Sequence, residues 1–274
     1  MTDYAALVAR PGANDLPYAD PHLPGREIIL RSARPAQCTP ETPVLFVHHG
    51  VLRNGADYRD YWLPLVDEAG ILVIVPEFPN EGFPGSRWYN FGNRTDEAGA
   101  LKPREQWTYA VDRRVFDGLR EAGVTTRRRY GEWGHSAGGQ FVHRMISLGF
   151  GQDAAVAVTA NAGTYAMPVL EVDFPYGLGS TGTDEAGLRR LLAFRMTVMA
   201  GTEDVDTLSE HFPKEPAAMA QGGSRYLRAH SYIRQAREMA ARLGCPCNWT
   251  IIDVPGVDHD GCRMSAAAAP IVAA

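Results

Sequence analysis

Lysine is nearly missing from this chain: Lys102 and Lys214 are the only two among 27 basic residues. The rest are arginines, a bias of the kind codon composition produces, with no chemical message of its own. Basic charge as a whole is also outweighed. With 32 acidic residues the formal net charge is -5, which argues against nucleic acid or an anionic membrane surface as a partner. No apolar run approaches the roughly 18 residues of a membrane span. The opening stretch MTDYAALVARPGANDLP has no basic start followed by an apolar segment, so no secretory signal is expected. Cysteine is scarce and irregularly spaced at Cys38, Cys245, Cys247 and Cys262. Cys245-Pro-Cys247 is too tight for the usual zinc spacing, and reduced thiols in a cytoplasmic protein are the expectation.

What is present is ordinary globular material. The 274 residues are 45% hydrophobic and 22% charged, enough for a sizeable core. Apolar runs of strand length recur at 27–30, 43–47, 71–75, 130–133, 155–159, 196–199 and 249–254. Between them lie helical periodicities at 58–69, 106–122 (stopped by Gly123), 138–148 and 226–243. Alternation of this kind predicts α/β architecture, with a mostly parallel sheet flanked by helices. A single domain over 1–274 is expected, with 1–25 as an N-terminal extension. The long Gly- and Pro-rich connections 161–194 and 205–223 are candidate lid loops.

The stretch Gly131-Glu-Trp-Gly-His-Ser-Ala-Gly-Gly-Gln-Phe141 places four glycines where a strand should meet a helix. Glycine inside an element is destabilising by roughly 1 kcal/mol, so these positions answer a different need. Gly134-His-Ser136-Ala-Gly138 fits a sharp strand-to-helix turn that lifts a serine hydroxyl into the crevice at the carboxyl edge of the sheet. A serine is a weak nucleophile near neutrality and requires a base, which an acid must orient. Of eight histidines, His259 follows the last strand at that same edge and is the candidate base. His135 beside the serine is expected to point elsewhere, as a structural residue. The acid should follow an intervening strand: Asp204 is preferred, with Glu203 and Asp206 as rivals. Oxyanion donors are expected from Ala137 N–H and from Val51 N–H in the loop "HHGVLRNG". His48 and His49 as neighbours in a strand would face opposite sides, so no metal site is expected there. Trp88, Tyr89 and Phe91 in "GFPGSRWYNFGN" are candidate substrate-contacting aromatics, or else lid packing.

"HHGVLRNGADYRDYW", "GHSAGGQFVHRM", "AGTEDVDT" and "VPGVDH", in that order, resemble an α/β-hydrolase. More narrowly, they are similar to the esterase branch related to polyhydroxyalkanoate depolymerases and feruloyl esterases. The resemblance implies Ser136 as nucleophile, His259 as base, Asp204 as its partner, and Val51 and Ala137 as oxyanion donors. It also implies a cofactor-free esterase acting on a small-molecule ester, with acyl transfer, amide or thioester cleavage as alternatives. Neither the signal peptide nor the separate polymer-binding module of secreted depolymerases is visible, which points to soluble short-chain esters.

Overall fold

The computed structural model describes residues 2–273. Eight strands form one sheet: β1 (Gly12–Ala19), β2 (Glu27–Arg34), β3 (Val44–His48), β4 (Leu72–Glu77), β5 (Tyr130–His135), β6 (Ala154–Ala160), β7 (Met196–Gly201) and β8 (Trp249–Val254). Their spatial order is β1-β2-β4-β3-β5-β6-β7-β8. From β4 to β8 all neighbours run parallel, while β1 and β2 are antiparallel additions at one edge. This is the mostly parallel α/β sheet expected.

Helices cover both faces: α1 (Gly55–Trp62), α2 (Val66–Ala69), α3 (Gly85–Trp88), α4 (Val111–Glu121), α5 (Ala137–Ser147), α6 (Glu185–Ala193), α7 (Pro216–Met219), α8 (Arg225–Leu243) and α9 (Gly261–Val272). Strands buried on two faces need apolar residues at successive positions rather than alternate ones. β3 shows the consequence. Val44 and Phe46 enter the core beneath α4, α5 and α8, while Leu45 and Val47 enter the opposite one beneath α1 and α9.

Four local expectations need correction. Residues 12–19 of the supposed extension form β1, paired along its whole length with β2. Its Asn, Asp and Pro17 are poor strand formers, tolerated because the strand lies at the edge. The helix expected over 58–69 is interrupted between Trp62 and Val66, where Pro64 lacks the N–H that would continue it. The helix expected from 106 begins at Val111, after two short 3-10 turns.

The 161–194 connection is not one loop. Its last part is α6, and residues 161–168 are buried. Burial there is possible because side chains satisfy the backbone. Gln221 bonds both the N–H and the carbonyl of Tyr165 at 2.8 and 2.6 Å, and His143 Nε2 accepts the Ala166 N–H at 3.0 Å.

Candidate active site

Ser136 sits between β5 and α5 with φ 58° and ψ -119°, a left-handed conformation that an L-residue adopts only under compulsion. The compulsion is crowding. A side chain on Gly134 would collide with the carbonyl of Gly138, and one on Gly138 would collide with the carbonyl of His48. The Ser136 N–H donates to the Ala160 carbonyl at 3.0 Å, fixing the turn to the end of β6. Strand, sharp turn and helix thus stand where the glycines predicted them.

His259 lies on the loop between β8 and α9. Its Nε2 is 2.9 Å from Ser136 Oγ, and its Nδ1 is 2.8 Å from Asp204 Oδ2. A carboxylate only accepts, so Nδ1 carries the hydrogen and Nε2 is left to accept from the serine hydroxyl. Asp204 is 1% exposed. Its rivals are not brought to His259: Asp206 is exposed and accepts the Leu208 N–H at 2.7 Å, and Glu203 is exposed. Asp260 instead caps α9, accepting from Cys262 and Arg263 N–H at 2.9 and 3.1 Å.

The loop carrying Val51 runs beside the serine: a Cβ on Gly50 would lie 3.9 Å from Ser136 Cβ. Several bonds hold that loop. Tyr89 Oη donates to the His49 carbonyl at 2.7 Å, His49 Nδ1–H donates to the Gly50 carbonyl at 2.9 Å, and His49 Nε2 accepts the Phe78 N–H at 3.1 Å. Burial depresses the His49 pKa to about 3, which keeps Nε2 free to accept. Arg53 closes the turn on the carbonyls of Phe78, Phe83 and Gly85. Tyr89 is therefore a fully buried strut rather than a substrate-contacting wall. Trp88 is likewise occupied, with the Arg26 guanidinium 3.6 Å from its ring centre. Phe91, partly exposed, packs edge-on to Phe174 with ring centres 6.0 Å apart.

No family model and no curated protein sequence matches the chain. Solved structures do. The poly(3-hydroxybutyrate) depolymerase LpqC from Bordetella parapertussis is 41% identical, over 98% of this chain and 93% of that one, with a TM-score of 0.92. This chain belongs to the α/β-hydrolase family. Poly(aspartic acid) hydrolase-1 from Sphingomonas sp. KT-1 is 37% identical over 96% of this chain and 99% of its own, also at TM-score 0.92. An S-formylglutathione hydrolase from Agrobacterium tumefaciens, 15% identical over 96% of this chain and 95% of its own, shares the fold at TM-score 0.58.

Around this hydrolase's serine stand residues that no sequence motif singled out. Arg225 Nη1 approaches Asp204 Oδ1 at 3.4 Å. Asn161, at φ 46°, accepts the Gly201 N–H through Oδ1 at 2.8 Å and donates through Nδ2 to the Asp258 carbonyl at 2.9 Å. His135 does not point away from the site. Its ring centre is 4.7 Å from that of His259, and its Nδ1 is hydrogen-bonded to Tyr58 Oη at 2.8 Å. Burial holds its pKa well below the usual histidine range, so it stays neutral under His259.

His48 Nε2 lies 3.1 Å from both Glu132 Oε2 and Asp112 Oδ2, all three side chains fully buried. Among the described residues this is the one group whose donor atoms converge as metal ligands would. The contact of Nε2 with Glu132 has the geometry of an ordinary hydrogen bond. Burial opposes the imidazolium, but the two carboxylates outweigh it and raise the His48 pKa to about 9. Burial and the Asp112 charge push Glu132 upward as well. The cluster joins β3, which leads into the Val51 loop, to β5, which leads into Ser136, and to the first turn of α4.

Proposed function

We propose that this hydrolase is a serine esterase. The observation that carries the reading is the hydrogen-bonded line from Asp204 through His259 to Ser136, at 2.8 and 2.9 Å. In this reading Ser136 Oγ attacks the ester carbonyl while His259 Nε2 takes its proton, and Asp204 holds the imidazole in the tautomer that can do so. Val51 and Ala137 N–H would receive the developing oxyanion; among the described residues neither donates to a protein acceptor. The alcohol leaves with the proton from His259. A water then enters by the same route and releases the acid from the serine.

Exposed apolar side chains follow two of the site's loops in sequence, Val51 and Leu52 after Gly50 and Val205 and Leu208 after Asp204. They suit the hydrocarbon parts of an ester rather than a highly charged substrate. Small soluble esters with short acyl chains, met in the cytoplasm, are the substrates we assign. A second reading, cleavage of a polyester or its oligomers, is favoured by the similarity to the Bordetella depolymerase.

Two measurements test the proposal. A fluorophosphonate probe should label the protein stoichiometrically, and Ser136→Ala should abolish both labelling and turnover. More than a tenth of wild-type turnover in the pure variant overturns the nucleophile assignment. A chain-length series of soluble aryl esters, run beside loss of weight from polyester films, decides between the two substrate classes.

A further inference from the structure

The formal net charge of -5 conceals a local excess of the opposite sign. At the amino ends of β3, β5 and β6, beside the start of β7, lies a cavity of about 420 Å³. Arg127, Arg128, Arg129 and Arg195 line it, and no acidic residue does. Ser136 stands at the other end of β5, which at about 3.3 Å per residue puts roughly 20 Å between them. The cavity is therefore separate from the catalytic line.

Four like charges bordering one space repel each other unless something answers them. Among the described residues nothing does. Arg129 Nη2 donates to the Ala154 carbonyl at 2.6 Å, and the other three guanidinium groups make no hydrogen bond or ion pair with the described residues. Carboxylates on neighbouring segments are engaged elsewhere: Asp153 pairs with Arg113, and Glu41 accepts from the hydroxyls of Thr39 and Thr126. The carboxyl end of α9 borders the cavity at Val272, but its dipole offsets only about half a charge.

The remaining walls are largely apolar, with Ile71, Val156, Ile271 and Val272 among them. A space of this size suits a small molecule rather than a polymer. Its charge must be compact, since all four guanidinium groups border the one space. A phosphate group carries about -1.5 to -2, so two joined phosphates match four arginines nearly one for one. The planar guanidinium fork also bonds phosphate oxygens in pairs. A single carboxylate would answer only one of the four.

We propose that this cavity binds a diphosphate group, either as inorganic pyrophosphate or as the head of a small organic diphosphate whose body lies on the apolar wall. The site is independent of the esterase reading and does not rest on it.

Isothermal titration calorimetry with inorganic pyrophosphate and, separately, with ADP, both without divalent metal, tests the proposal. At least one probe should bind one site per chain with a Kd below about 1 mM, and inorganic phosphate should bind at least about tenfold more weakly. Tighter binding of ADP supports an organic diphosphate, and tighter binding of pyrophosphate the inorganic one. Arg128→Gln and Arg195→Gln alter exposed side chains and should each weaken binding by about tenfold. Arg234→Gln, on the exposed face of α8, removes the same charge elsewhere and should leave binding unchanged. A thermal melt verifies that each variant is folded. The site is overturned if neither probe binds, if phosphate binds as tightly as pyrophosphate, or if the cavity variants bind no more weakly than Arg234→Gln.

Discussion

Arg225 Nη1 stands 3.4 Å from one oxygen of Asp204, whose other oxygen is 2.8 Å from His259 Nδ1. Arg225 and Asp204 are 3% and 1% exposed, so the carboxylate that orients the histidine has a buried counter-charge behind it. The two are also joined through the backbone at the start of α8, where the Tyr226 N–H donates to the Asp204 carbonyl at 3.3 Å. Removing one partner of a buried pair leaves the other charge uncompensated, at a cost of about 3–5 kcal/mol. Arg225→Met should therefore lower both the melting temperature and kcat, the latter by at least about tenfold, with KM less affected. Steady-state kinetics beside a thermal melt checks this. A variant that melts earlier but keeps its kcat would show that Arg225 supports the fold alone.

Asp204→Asn should cost far more activity than Asp206→Asn. An amide can present an N–H to His259 Nδ1 and so favour the wrong tautomer, whereas the exposed Asp206 only caps the Leu208 N–H. Purified variants assayed on one aryl ester decide it, and the reverse ranking would reassign the acid.

Tyr89→Phe removes the hydroxyl that holds the His49 carbonyl at 2.7 Å while keeping the ring stacked on His49. One buried hydrogen bond is worth about 1 kcal/mol, and here it braces the loop that carries Val51. The expected result is a several-fold fall in kcat with KM nearly constant. Loss of binding alone would instead make Tyr89 a substrate contact.

The cluster at His48 predicts how stability responds to alkali. Folding raises the His48 pKa to about 9, so the protonated form is favoured in the native state. That stabilisation is complete below the unfolded histidine value of about 6.5 and is lost as pH rises through the folded one. Melting temperature should therefore decline between about pH 7 and pH 10, and His48→Gln should flatten that decline. An unchanged slope in the variant would place the alkaline transition elsewhere, and metal found in the purified protein would replace the His48 proton with an ion.

The convergence of Ser136, His259 and Asp204 was legible because each rests on a local cue. Gly134 and Gly138 mark the turn, and Asp204 and His259 each follow a strand within a few residues. Arg225, Asn161, Asp112 and Glu132 had no such cue. Asp112 and Glu132 lie 64 and 84 positions from His48, and only the pairing of β3 with β5 and the docking of α4 bring them together. Composition misled in the other direction at 161–168, whose Asn, Gly, Thr and Pro look solvent-seeking. Their backbone groups find partners on Gln221 and His143, which no spacing rule connects to them. Tyr89 was left open for a similar reason: an aromatic after a strand can line a cleft or brace it, and its bond to His49 is what favours the brace.

Asn161 reaches both the last residue of β7 and the Asp258 carbonyl, beside His259, with a single amide. The loops bearing Asp204 and His259 are thereby fastened to the sheet at one point, so they are expected to loosen together with it on heating. Catalytic lifetime at high temperature should then follow the melting of the sheet, with no earlier, separate loss of activity. For anyone seeking a hardier enzyme, the place to reinforce is the strand framework, and stiffening the exposed segment around Val205–Leu208 will lengthen nothing.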